Sequence, residues 1–151
     1  MTSIDFYFNA GDRYTVACRL AAKALQQNKR LMVYAPEPKV AQHIDRLLWT
    51  QQALSFLPHC MADDALAAET PLLICAGENP PELPPCEILL NLAPGCPPRF
   101  ERHERLLEIV SRDEDDRAAA RERHKFYKAR GYLIRNHDLA AAASAPENER
   151  P

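Results

Sequence analysis

The sequence predicts an α/β domain of three layers built on a mostly parallel sheet. Three observations lead there. Short continuous apolar runs, LMVYA at 31–35, LLICA at 72–76 and ILLNL at 88–92, suit strands buried on both faces. Amphipathic stretches follow the first two predicted strands, which is the β–α alternation of a parallel sheet covered on both sides. At 151 residues with ordinary apolar and charged fractions, the chain is one domain's worth of soluble globular protein.

Each element has its own local cause. Residues 4–8 (IDFYF) alternate and are aromatic-rich, a first strand, and residues 9–12 (NAGD) turn the chain. Over 14–27, Val16, Ala17, Leu20, Ala21 and Ala24 form one stripe of a helix that Asp12 is placed to cap. After the strand at 31–35, Pro36 and Pro38 open a second helix, where a missing N–H costs little. Its core stripe is Val40, Ile44, Leu47 and Leu48. Residues 54–59 (LSFLPH) read as loop, 61–70 as a short helix or turn, and 77–85, with four prolines, as loop. Residues 100–111 are ambiguous; the expectation is helix, then strand. Acids at 113–116 precede a last helix, where the N-terminal dipole favours them. Gly131 is its natural stop, and 132–134 add an apolar extension. One domain over 1–139 and a frayed tail over 140–151, rich in Ala, Ser, Pro and Glu, are expected.

Several classes of function fit poorly. A net charge of −2 argues against bulk coating of nucleic acid, so any such contact is local or indirect. No apolar run approaches the roughly 20 residues of a membrane span. No secretory signal is visible in MTSIDFYFNAGDR, and five scattered cysteines read as reduced residues of a cytoplasmic protein. The fold is expected to be Rossmann-like, but the first β–α turn has a single glycine, Gly11. It matches neither the dinucleotide fingerprint nor the P-loop, so no nucleotide cofactor is expected. His59 and Cys60 are adjacent, poor spacing for two ligands of one zinc ion. In extended chain they point to opposite sides, which leaves little for a nucleophile and its base. The residues argue against an enzyme more strongly than for any reaction.

Two surfaces could carry binding. In 117–130 (RAAARERHKFYKAR), Arg117, Arg121, Lys125 and Lys128 follow helical steps of three and four, with His124 at the edge. This ridge is either a docking face for an acidic partner or a solvated helix face. Arg123 and Arg130 fall on the core arc with Ala119, Ala120, Phe126 and Tyr127. They must snorkel, pair with acids, or reach a partner. The second surface is Trp49, off the core stripe and close to Phe56 and Pro58. It is either an aromatic contact patch or the closure of a helix end.

Taken together, Phe6-Tyr7, Cys18 and Leu20, KRLMVYA, Leu47-Leu48-Trp49, residues 55–59 (SFLPH), Leu90-Asn91-Leu92, Pro98-Arg99-Phe100 and residues 121–127 followed by Gly131-Tyr132 resemble the chi subunit of bacterial DNA polymerase III. The likeness runs from about residue 4 to residue 138. It implies a non-catalytic accessory subunit of the clamp loader, working in DNA replication without a cofactor or metal. By resemblance, the psi subunit, or a helicase competing for the same surface, would meet Trp49, Phe56 and Pro58. The acidic C-terminal tail of single-stranded-DNA-binding protein would meet Arg121 and Lys125, with Arg117, His124, Lys128 and Tyr132 nearby. DNA would be contacted mainly indirectly. The alternatives are a direct nucleic-acid module using the same ridge, or a small α/β enzyme. The chain departs from the family pattern in two places. His124 replaces an aromatic between the two cations, and the acids of 111–116 are expected to compete for those cations.

Overall fold

The computed structural model describes residues 2–50, 58–77 and 86–140. Among them the chain builds one seven-stranded, all-parallel sheet in the order β3-β4-β2-β5-β6-β1-β7. The strands are β1 (Ser3–Ala10), β2 (Leu31–Tyr34), β3 (His59–Met61), β4 (Leu72–Cys75), β5 (Ile88–Asn91), β6 (Arg105–Ser111) and β7 (Ile134–Asp138). The helices are α1 (Arg13–Gln26), α2 (Pro38–Thr50) and α3 (Glu114–Ala129). Every residue of β2, β4 and β5 is buried, as their unbroken apolar runs require.

The pleat divides the core in two. Leu31, Val33, Leu72, Ile74, Leu107 and Ile109 face α1 and α2. Their alternates Met32, Tyr34, Leu73, Leu106 and Val110 face the opposite layer, with Ala120 and Tyr127 of α3. Helices thus cover both faces, the three-layer Rossmann-like arrangement that the alternation predicts.

Asp12 and Gly131 mark helix ends as predicted, whereas the last helix starts earlier than expected, at Glu114, with three of the acids in its first turn. Asp12 has extended backbone and its carboxylate accepts from Tyr14 N at 3.0 Å. Asp113 caps α3, accepting from Asp116 N at 3.2 Å. Gly131 has φ +82, the left-handed conformation that ends a helix cheaply only in glycine.

Four expectations change. The first strand continues through Ala10, with an irregular register after Tyr7 and Asn9 at φ 63, so part of the expected turn is strand. Residues 100–111 run helix then strand as expected, but the helix is a single 3-10 turn, Phe100–Arg102, and the seven-residue β6 takes the apolar positions, because alternate residues are needed by two cores at once. His59–Met61 is a short edge strand rather than loop. The chain after Gly131 is more than an apolar extension: it pairs with β1 as β7 and becomes the other edge. Phe56 and the rest of 51–57, the prolines of 78–85 and the tail 141–151 lie outside the described residues.

Candidate functional site: the outer face of α3 and the Trp49 edge

Helix α3 is fixed to the sheet by charge as well as by packing. Glu108, in the otherwise apolar stretch LLEIV of β6, is fully buried. Arg123 donates from Nε to Glu108 Oε1 at 3.0 Å, and from Nη1 to the Pro94 carbonyl at 2.9 Å. Tyr127 donates its hydroxyl to Oε2 at 2.6 Å. The Asn91 amide reaches both carboxylate oxygens, at 3.1 and 3.0 Å. Burial pushes the Glu108 carboxyl above its ordinary value, against the pull of Arg123 and of these hydrogen bonds. The same burial and the carboxylate beside it hold the Tyr127 phenol far above its usual range, so it stays a donor. Arg123 therefore takes the second of the routes open to a cation on the core arc and pairs with an acid. The signal for this network was a lone glutamate inside an apolar strand, which needs a buried partner.

With the arc of Arg123 and Tyr127 pinned inward, the outward face is determined. Arg117, Arg121, Lys125 and Lys128 are all exposed. At about 100° per residue they share an arc of about 80°. His124 stands at its border, half-buried, with its ring 5.1 Å from that of Phe6. On that side Phe8 and Ile134 are only partly buried against the core layer.

The acids at the start of α3 mostly have other work. Asp113 caps α3. Asp116 accepts from Ser111 N at 2.7 Å and pairs with Arg13 at 3.4 Å. Glu114 turns to the ridge, 3.2 Å from Arg121, and further along α3 Glu122 lies 3.8 Å from Lys125. All four of these side chains are more than half exposed. Such pairs contribute roughly 0–1 kcal/mol and exchange readily with water or another anion.

Tyr132 is not on the ridge. It lines a separate cavity of about 430 Å³ with Phe100, Phe126 and Arg130, its ring 5.3 Å from that of Phe100. Arg130 lies over the Phe126 ring at 4.5 Å, which is how the second core-arc cation is accommodated. Phe126 and Arg130 are roughly 140–180° round the helix from the centre of the ridge.

At the far edge of the sheet, Trp49 is 62% exposed while the preceding Leu48 is buried. Its ring sits 4.8 Å from that of His59, which lies beside exposed Pro58 on β3. His59 Nε2 is 3.1 Å from Asp45 Oδ1 on α2, whereas Cys60 packs into the opposite core layer. The two side chains thus diverge across the strand, as extended chain requires, and form no nucleophile–base pair. Among the described residues no group of three or more His, Cys, Asp or Glu could hold a metal ion.

The fold and these surfaces define a class: a Rossmann-like domain whose distinctive surfaces are a cationic helix face and an exposed aromatic edge. Comparison with known proteins supplies the family. The family described as "DNA polymerase III chi subunit, HolC" matches residues 1–135, and the chain belongs to it. Relatives named DNA polymerase III subunit chi include one from Pseudomonas aeruginosa, 34% identical over 92% of this chain and 98% of its own length. Others come from Haemophilus influenzae, 27% identical over 79% of this chain and 82% of that one, and Escherichia coli, 26% identical over 79% and 80%. This kinship makes the chain an accessory, non-catalytic subunit of the polymerase.

Proposed function

We propose that this chain is an adaptor of the replicative polymerase. It joins the clamp loader, through psi, to the acidic C-terminal tail of single-stranded-DNA-binding protein. One observation carries the reading: four cations share one exposed face of a helix that a buried ion pair holds in place. Arg121 and Lys125 clasp the tail, Arg117 and Lys128 extend the field along it, and His124 supplies a flat ring at the border. The intrachain acids Glu114 and Glu122 hold these cations only weakly, so an incoming carboxylate displaces them at little cost. Tyr132, on the other flank, takes no part in the clasp. Psi docks on the Trp49 and Pro58 edge, with Phe56, which lies outside the described residues, as a further expected contact, and a helicase would compete there. The mechanism is tethering, which raises local concentration without new chemistry. The setting is the cytoplasm; no helix among the described residues is long and apolar enough to cross a membrane.

Arg121→Glu with Lys125→Glu tests the clasp. Two charge-assisted hydrogen bonds are worth about 1.5–3 kcal/mol each, so tail-peptide affinity should fall at least about 100-fold. The unfolding midpoint should stay near that of the wild type. Unchanged affinity would overturn the site. Bare single-stranded DNA binding more tightly than the peptide, with a steep salt dependence, would favour the direct nucleic-acid reading instead.

A further inference from the structure

A second polar cluster lies on the face of the sheet opposite α3, near the β7 edge and so at the other end of the sheet from β3 and Trp49. Its centre is Asp5 of β1, 1% exposed. Arg105 of β6 donates Nε and Nη2 to Asp5 Oδ2 at 3.3 and 2.9 Å. Arg135 of β7 reaches Oδ1 through Nε at 3.0 Å and Oδ2 through Nη2 at 3.4 Å. His137 Nε2 lies 3.0 Å from Oδ1, and its ring stacks on Tyr7 at 4.5 Å. Both carboxylate oxygens are saturated.

The charges do not balance. The cluster borders a cavity of about 270 Å³ between the end of α1 and the starts of β6 and β7. Its lining holds one acid, Asp5, against Arg105, Arg135 and Lys23, an excess of two positive charges before His137 is counted. Lys23 is half-buried and has no ion-pair partner among the described residues. Each arginine spends Nε and Nη2 on Asp5, and the Arg105 guanidinium also meets the Tyr7 hydroxyl, which leaves Nη1 of Arg135 without a hydrogen bond among the described residues. A buried carboxylate that holds two guanidiniums in fixed orientation is a way to preorganise donors for an anion. Guanidinium geometry suits a tetrahedral oxyanion. At about 30 Å³ per water, the cavity has room for such an ion and part of its hydration shell.

We propose that this cavity binds a phosphate group. Nη1 of Arg135 and Lys23 Nζ are the donors, Arg105 adds its positive charge, and Asp5 is a positioning residue that does not touch the ligand. A phosphate monoester or inorganic phosphate carries about −1.5 to −2 at neutral pH, which matches the excess. A single carboxylate would neutralise only half of it.

The test is a titration of the full chain, followed by the amide resonances of Lys23, Arg135 and His137, at ionic strength held constant with chloride. One arm uses inorganic phosphate and the other a short 5′-phosphorylated oligonucleotide. Saturable shifts at low-millimolar ligand are expected. Saturation by phosphate alone identifies a free ion, by the oligonucleotide alone a strand end, and by both a site that accepts either; each supports the phosphate chemistry. Lys23→Gln should weaken binding roughly tenfold, the loss of one charge-assisted donor, with the unfolding midpoint unchanged. Arg135→Gln should do the same, and Lys23→Gln guards against any loosening of β7 in that variant. Absence of saturation in both arms, or wild-type affinity in Lys23→Gln, would overturn the proposal.

Discussion

Arg123→Met isolates the interaction on which the orientation of α3 depends. Methionine keeps most of the apolar stem but leaves Glu108, fully buried, without its counter-ion. Removing one partner of a buried pair costs about 3–5 kcal/mol, a large share of the 5–15 kcal/mol that stabilises an ordinary domain. The loss should depend on pH in a set direction. Glu108 already sits above its ordinary value of 4.5 through burial, and Arg123 is the largest force pulling it back. Without Arg123 the folded-state value rises further. A raised carboxyl is protonated at little cost below its unfolded pKa, and the folded state loses stability as pH rises through the folded value. The deficit should therefore be small near pH 4. It should open at about 1.4 kcal/mol per pH unit only once pH passes the wild-type folded value, which already lies above 4.5, and stop widening when the higher value of the variant is passed. Urea unfolding of both proteins across this range measures it, and adding Glu108→Gln should remove the pH dependence. A deficit of equal size at pH 4 and pH 8 would refute the reasoning, since the cost would then come from packing rather than from a stranded charge.

Three further outcomes follow from other parts of the fold. Asp5 is held below its ordinary 3.8 by His137, Arg105 and Arg135 against the opposing effect of burial. Its stabilisation is present above 3.8 and lost as pH falls through the lower folded value, so Asp5→Asn should flatten the acid limb of stability and cost about 2–3 kcal/mol at neutral pH, read by denaturant unfolding. Asp12→Ala removes the cap that accepts from Tyr14 N and Thr15 Oγ1, and should cost about 1 kcal/mol in the same assay. Cys18 and Cys75 are buried, with thiols pushed up to about 11, so a thiol reagent at pH 8 should spare both until the protein unfolds. Mass mapping of the labelled chain reads this directly.

Much of this protein is determined locally and is therefore legible in its sequence. Unbroken apolar runs gave the inner strands, because a parallel strand covered on both faces has no polar side to show. Asp12 and Gly131 marked helix ends, since capping and left-handed backbone are properties of one or two residues. The exposed arc of Arg117, Arg121, Lys125 and Lys128 follows from helical spacing alone, and so does the outward turn of Trp49. What only the tertiary structure decided involves partners distant in the chain. Glu108 meets Arg123 fifteen residues on and Asn91 seventeen back. Asp5 meets Arg135 from the opposite end of the chain, once β7 has added itself beside β1. Periodicity reports which face a side chain occupies but not which strand lies alongside. Strand order is set by how the crossovers pack, so the pairing of buried charges, and the cavity where the cations outnumber the acid, emerge only when the sheet is assembled.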